Sequence, residues 1–406
     1  MRALAIGAAV VLAACGSGAP VVLPSPSRTA APAATAAIVP AATATPTLSP
    51  TPRPVPKPPI VTDTVVQTGL VVPWDIAFAP DGRMFVTERP GNVLIFESAA
   101  PGARRVGHFS IPSMRAVEES GLMGIALDPD FARNGFLYVC ASRQDEGEWR
   151  NQVLRLKASG NDLALDGFVV RRGMLAGQVH DGCAVRIGPG GKLWVTMGES
   201  GRAPLAQDVT SLNGKVLRLE LDGSVPRDNP VLPGRSGPSA IWSYGHRNPQ
   251  GLAIQPGTGA MYEVEHGEDT HDEINVLVPG GNYGWPIAEG PDPQHRFVDP
   301  RWSSGNVTIA PSGATFVVGA QWGTWTGSLF TSQLKQSDLR RFIADAEGTG
   351  TGVKPAEILL SRKYGRLRAA VFGPDGALYL STSNRDGRGA VTGSDDRIIR
   401  IEARQP

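Results

Sequence analysis

Cysteine is scarce in this 406-residue chain. There are three, and Cys15 falls in an N-terminal leader, so only Cys140 and Cys183 remain in the body. Two isolated cysteines exclude a cysteine-built metal site. A disulfide between them is open to an exported protein, and two buried free thiols fit the same spacing. An excess of charge of one sign is also missing. The 39 Lys+Arg face 38 Asp+Glu, and cleavage before Cys15 removes Arg2 and no acid, so the formal charge goes from +1 to zero. Nothing here marks a nucleic-acid partner. Beyond the first 14 residues no apolar run is long enough to span a bilayer as a helix. Acidic residues are absent from 16–59, a stretch that holds 12 Pro with many Ala and Thr.

These absences divide the chain. Met1–Ala14 carries one Arg and an apolar run and leads into Leu12-Ala13-Ala14-Cys15. That reads as a secretory signal at 1–14. The tetrapeptide resembles a bacterial lipobox, which makes Cys15 the expected lipidation site; an ordinary signal peptide is the alternative. Residues 15–59 cannot bury enough apolar surface to fold and read as a semi-rigid tether. The body is 60–406. The expected location is the cell envelope, lipid-anchored to the outer face of a bacterial membrane or periplasmic, with the lipid as the only membrane contact.

Within the body one phrase recurs six times: Pro73–Arg89, Gly121–Ser142, His180–Ser200, Asn248–Gly267, Pro311–Leu334 and Arg366–Asn384. Four copies read plainly as a small-residue strand, a turn such as Pro-Asp-Gly, and an alternating strand. The second has a longer turn and the fifth is the weakest match. Such units are hairpins, and repeated units of this length are propeller blades. The predicted fold is all-β, a six-bladed β-propeller with four-stranded antiparallel blades. Gly and Ala in the first strand of each unit suit an innermost strand, where blade walls meet closely. Ile60–Val66 and Arg397–Glu402 both read as strands and are expected to pair in one blade, closing the ring. The uneven repeat spacing puts insertions in loops between blades, and such loops carry function.

Several side chains fall at one mouth of the expected channel. His180 opens the third unit and Glu199 ends its hairpin. A single His is commonly a structural hydrogen-bonder, but a carboxylate on one imidazole nitrogen raises the basicity of the other, giving a general-base candidate. Arg247-Asn248-Pro249 feeds the fourth inner strand; Arg247 could stabilise a negative oxygen and Asn248 could orient a carbonyl. The same hairpin runs into Glu265–Asn275, with five carboxylates in Glu265–Glu273, beside Gly280–Pro286. Hard oxygen ligands on a loop suit Ca²⁺, and an acidic surface turn fits the same residues; the pattern is not an EF-hand. Arg366 and Arg368 lie two apart on the sixth inner strand and share a face. They repel unless an anion lies between them. With Arg247 and Lys335 they bring four cations to one rim, which suits a small polyanion.

At these residues the chain resembles the soluble quinoprotein glucose/sorbosone dehydrogenase family, in particular its aldose sugar dehydrogenase branch. Gly121–Gly124, the His180 segment, Leu212–Leu219, Gly245–Ala253 (GHRNPQGLA), Asp272–Asn275 with Gly280–Pro286, and Arg366–Arg368 match in order, covering about 62 to 403. The resemblance implies a six-bladed propeller carrying pyrroloquinoline quinone (PQQ) and Ca²⁺, and an aldose as substrate with an unidentified electron acceptor. His180 would take the anomeric hydroxyl proton as hydride leaves C1 for the quinone, with Glu199 as its acid partner. Arg247 and Asn248 would face the reactive carbonyl and cofactor ring. Lys335, Arg366 and Arg368 would hold the PQQ carboxylates. The carbonyls of Gly267 and Glu268 would hold Ca²⁺. Glu119 takes a substrate-side position that often holds Gln, Glu268 replaces a frequent Pro, Val179 stands where some members have Asp, and Asn306 where some place a Trp. These departures bear on sugar preference more than on the cofactor. Two other readings remain open from sequence: a Ca²⁺-dependent lactone hydrolase, which needs a metal held by side chains in the central channel, and a non-catalytic sugar-binding propeller.

Overall fold

The structure, a computed structural model, describes residues 57–406. The signal segment, Cys15 and the tether up to residue 56 lie outside the described residues. Six four-stranded antiparallel sheets account for every named strand. Their innermost strands are Pro73–Phe78, Leu122–Leu127, Val185–Gly188, Asn248–Ile254, Pro311–Phe316 and Leu367–Phe372, blades 1 to 6 in chain order. Each touches the next, and blade 6 returns to blade 1. The ring closes as expected. Ile60–Gln67 pairs antiparallel with Ile398–Arg404, Ile60 opposite Arg404, so the N-terminal strand is the outer strand of blade 6. Helix is limited to Phe131–Asn134 and three short 3₁₀ turns.

The small residues of the inner strands have the predicted packing reason. A Cβ on Gly251 would come within 2.1 Å of the Ser312 carbonyl, and one on Gly313 within 2.1 Å of the Ala370 amide. Side chains there would push neighbouring blades apart. Away from the axis the blades are joined by apolar layers. Phe85, Val139 and Leu154 lie between blades 1 and 2, and Val264, Ile274, Phe316 and Phe342 between blades 4 and 5. Burial of such side chains is worth roughly 1.5–3 kcal/mol each. Blades 2 and 3 are also joined covalently, since Cys140 and Cys183 form a disulfide, which decides what their spacing left open.

Two placements differ from the sequence reading. The third inner strand begins at Val185, so His180 stands in the preceding segment with a left-handed backbone (φ 59°). Glu199 lies two residues beyond the paired strand Lys192–Met197. Both leave the ladder before the rim, which frees their side chains from sheet packing.

Candidate active site

Blade 3 supplies the first pair. His180 Nδ1 bonds Glu199 Oε1 directly, and the imidazole remains partly exposed while Glu199 is buried. Glu199 is held from both sides: its amide donates to the Arg247 carbonyl at 2.9 Å, and the next amide, Ser200, donates to the His180 carbonyl at 2.9 Å. Beneath them Asp181 accepts Asn151 Nδ2 at 2.7 Å and the Gly177 amide at 2.9 Å. Burial pushes the Asp181 carboxyl up to about 7, against those hydrogen bonds.

Glu119 ties three blades together at the rim. Its Oε2 accepts the His180 amide at 3.0 Å and Asn248 Nδ2 at 3.4 Å, and its Oε1 pairs with Arg388 at 2.7 Å. Burial alone would raise this carboxyl, but His266, Arg388 and the His180 amide hold it down at about 2. Asn248 is fully buried, and its Oδ1 accepts the Gly182 amide at 3.2 Å. Arg247 is fixed by its backbone, whose amide donates to Glu265 Oε2 at 2.8 Å. Its guanidinium lies 5.2 Å from the Trp285 ring centre, and its buried Nε has no hydrogen-bond partner.

Two of the expected cations, Arg366 and Arg368, converge, with an anion of the chain's own between them. Arg366 Nε donates to Asp386 Oδ2 at 2.8 Å, and Arg368 reaches the same oxygen at 3.5 Å. Asp386 therefore lies where an anion was required between the two arginines. Arg368 is buried, lies 3.8 Å over the Trp74 ring, and bonds Ser383 Oγ at 3.0 Å. Burial lowers it to about 10, helped by Arg366 and opposed by Asp386, so it stays charged at neutral pH. Arg366 also donates to the Leu334 carbonyl at 3.2 Å, which brings Lys335 to the same rim. The Lys335 side chain is exposed and forms no ion pair among the described residues.

The acidic loop between the second and third strands of blade 4 is organised by Asp272. Its Oδ1 accepts the Gly267 amide at 2.9 Å and its Oδ2 the Ala310 amide at 2.8 Å. The Glu268 amide donates to the Glu289 carboxylate. Both contacts use N–H groups, so the carbonyls of Gly267 and Glu268 remain the groups that could take a cation.

Asp386 and Arg388 were missed from sequence. Both lie in Arg385-Asp386-Gly387-Arg388-Gly389, a Gly-rich loop between strands of blade 6. Its signal was an inserted charged loop facing an inner-strand Arg pair. Gln250, which accepts Arg368 at 3.3 Å, had no signal beyond its place on an inner strand.

A family model described as Glucose / Sorbosone dehydrogenase matches residues 70–398. The chain is 30% identical over 341 residues to an aldose sugar dehydrogenase of Escherichia coli K12, covering 80% of this chain and 90% of that one. It is 31% identical over 307 residues to quinoprotein glucose dehydrogenase B of Acinetobacter calcoaceticus, covering 67% and 63%. Among solved structures it is similar to the PQQ-bound form of an aldose sugar dehydrogenase from Streptomyces coelicolor, with TM-score 0.73 and 35% identity over 86% of this chain and 100% of that one.

Proposed function

The chain belongs to the glucose/sorbosone dehydrogenase family, and from that premise we propose that it is a PQQ- and Ca²⁺-dependent enzyme oxidising aldoses at C1 to lactones. The observation that carries this reading is a surplus of charge. Arg366 and Arg368 share one carboxylate of the chain, Asp386, and Lys335 beside them forms no ion pair among the described residues. The exposed Lys335 is a donor still open to such a ligand. Charge-assisted bonds of this kind are among the strong ones.

Arg366, Arg368 and Lys335 would hold the PQQ carboxylates, Arg247 and Asn248 the ring, and the Gly267 and Glu268 carbonyls the Ca²⁺. When bound, PQQ supplies a two-electron acceptor for the anomeric carbon, polarised by Ca²⁺ as a Lewis acid. His180 is the base. Glu199 occupies Nδ1, which leaves Nε2 to take the proton of the anomeric hydroxyl. Glu119 fixes the His180 amide and Asn248 relative to one another, so its role is to position the base, with any sugar contact made around it. The partners in this reading are an aldose and an electron acceptor, with no nucleic acid.

The lactone-hydrolase alternative needs a side-chain metal site in the channel. Among the described residues the only close group of three metal-capable side chains is His246, Glu263 and Glu265, and it lies between blades instead. The non-catalytic alternative leaves the charge surplus without a purpose. An exported protein suits the Cys140–Cys183 disulfide, and the lipobox at Cys15 proposes anchoring by lipid. Among the described residues no helix is long and apolar enough to cross a membrane.

The test is reconstitution. PQQ titrated into purified apoprotein with CaCl₂ should bind and be reduced by aldoses, and should bind weakly in chelator. Binding equally tight in chelator removes Ca²⁺ from the reading. Reconstituted protein that no aldose reduces, and that hydrolyses lactones instead, replaces it.

A further inference from the structure

The layer between blades 3 and 4 differs from the other interfaces. Away from the rim it is apolar, with Trp194, Val216, Leu252 and Met261. Nearer the rim the same face of blade 4 turns polar. Glu263 and Glu265 alternate with Val264 on one strand. The adjacent strand pairs Asn275 with Glu263 and Glu273 with Glu265, so all four polar side chains share a face. Val264 and Ile274 point the other way, into the blade 4–5 layer. His246 reaches this face from the end of blade 3.

None of these groups is exposed enough for water to screen it. His246, Glu263 and Asn275 have no exposure at all, and Glu265 and Glu273 are buried. Three carboxylates meet here with no Lys or Arg side chain among their hydrogen-bond partners. Asn275 Nδ2 lies 3.1 Å from an oxygen of each of the three. One amide NH₂ has two hydrogens and cannot serve three acceptors. Glu263 Oε1 and Asn275 Oδ1 bond to nothing. A buried, unpaired set of this kind is costly unless something cationic completes it. Without a cation it can only hold protons.

We propose that His246, Glu263 and Glu265 hold a divalent transition-metal ion of the Mn²⁺/Zn²⁺ class between blades 3 and 4. The spacings suit it. His246 Nδ1 lies 3.0 Å from Glu265 Oε1 and 3.9 Å from Glu263 Oε2. Ligands roughly 2.0–2.2 Å from a common metal are themselves about 3–4 Å apart. Imidazole beside carboxylates selects Mn²⁺ or Zn²⁺ over Ca²⁺, which takes oxygen ligands. The outer contact is also in place. Ser243 Oγ lies 2.8 Å from His246 Nε2, so an Nε2–H donated there leaves the Nδ1 lone pair for the metal. Glu265 uses its other oxygen on the Arg247 amide. The metal would thus brace the turn that presents Arg247 and Asn248, in addition to and apart from the Ca²⁺ proposed at Gly267 and Glu268.

The test is metal content of the full-length chain, measured without PQQ and after Ca²⁺ has been removed with a calcium-selective chelator. Wild type offered MnCl₂ or ZnCl₂ should retain one equivalent. Glu263→Gln, which keeps the shape and removes the charge, should retain none. Ser243→Ala should bind roughly 10–100-fold more weakly. Anomalous scattering from a Mn²⁺-soaked crystal should peak between His246 and Glu263. If wild type and Glu263→Gln hold equal metal, or if wild type holds none and the crystal shows no peak, the cluster is held together by protons and the proposal fails. These readouts need neither PQQ nor turnover, so their failure leaves the dehydrogenase reading standing, and the reverse also holds.

Discussion

The imidazole of His180 is bonded through Nδ1 to Glu199, whose second carboxylate oxygen is buried and has no hydrogen-bond partner. The carboxylate is thus committed to one task, which is holding that ring. It fixes the tautomer and points Nε2 to the partly open side of the site. Glu199→Gln should therefore slow reduction of bound PQQ by aldose less than loss of His180 itself, since the imidazole remains. A single-turnover measurement of the variant checks this. A loss as deep as that of the His180 variant would make Glu199 a direct participant in proton transfer.

The shared carboxylate of Asp386 changes what the arginine variants should do. Arg368→Ala removes a charge-assisted partner from PQQ and also leaves the buried Asp386 carboxylate with Arg366 as its one ion-pair partner among the described residues. We expect PQQ affinity to fall by about 1.5–3 kcal/mol, together with a measurable loss of stability without cofactor. Denaturation of the apoprotein separates the two effects. Unchanged apoprotein stability would mean that Asp386 needs only Arg366.

Glu119 gives a pH-dependent signature. Its folded value, about 2, lies below its ordinary value of 4.5. A carboxyl held down in this way stabilises the fold while charged, above pH about 4.5, and loses that contribution as pH falls toward 2. Wild type should be more stable than Glu119→Gln at neutral pH, and the gap should close as the pH is lowered from 5 to 2. A pH-independent gap would show that the ionised form is not what matters.

The disulfide closes a loop of 43 residues between blades 2 and 3 and ends three residues from His180. On the chain-entropy account it is worth about 4 kcal/mol. Cys140→Ser/Cys183→Ser should have a lower thermal midpoint than the oxidised wild type, and reduced wild type should resemble it. Equal midpoints would mean that the thiols are not joined in the purified protein.

The leader makes its own prediction. Cys15→Ala should abolish lipidation and release the protein from the membrane fraction, with sugar oxidation intact. Retention in that fraction would remove the lipid anchor.

The ring was readable because a propeller repeats its hairpin, and copies such as Pro73–Arg89 and Arg366–Asn384 keep the Pro-Asp-Gly turn that marks it. His180, Glu199, Arg247 and Asn248 were readable because each stands where a hairpin enters or leaves the rim. Asp386 and Arg388 were not, since a loop carries no period: Asp386 folds back on Arg366 of its own blade, and only closure of the ring brings Arg388 against Glu119. The Glu263–Asn275 layer was also hidden. Its residues alternate as any strand does, and only the register across to Glu273 and Asn275 shows that the polar face is the buried one. The pairing of Cys140 with Cys183 likewise required two neighbouring blades to be placed.

The central claim is that His180 removes the anomeric proton while PQQ is bound at this rim, and single-turnover reduction in His180→Gln tests it most directly. With PQQ and Ca²⁺ occupancy confirmed by absorbance and metal content, excess aldose is mixed with the variant and reduction of the bound quinone is followed. A positioned general base contributes about 10²–10⁴-fold, and no other described side chain bonds to Glu199 in its place, so we expect a loss in that range with binding unchanged. Near-normal reduction by the fully loaded variant would contradict the account and assign the proton to another group.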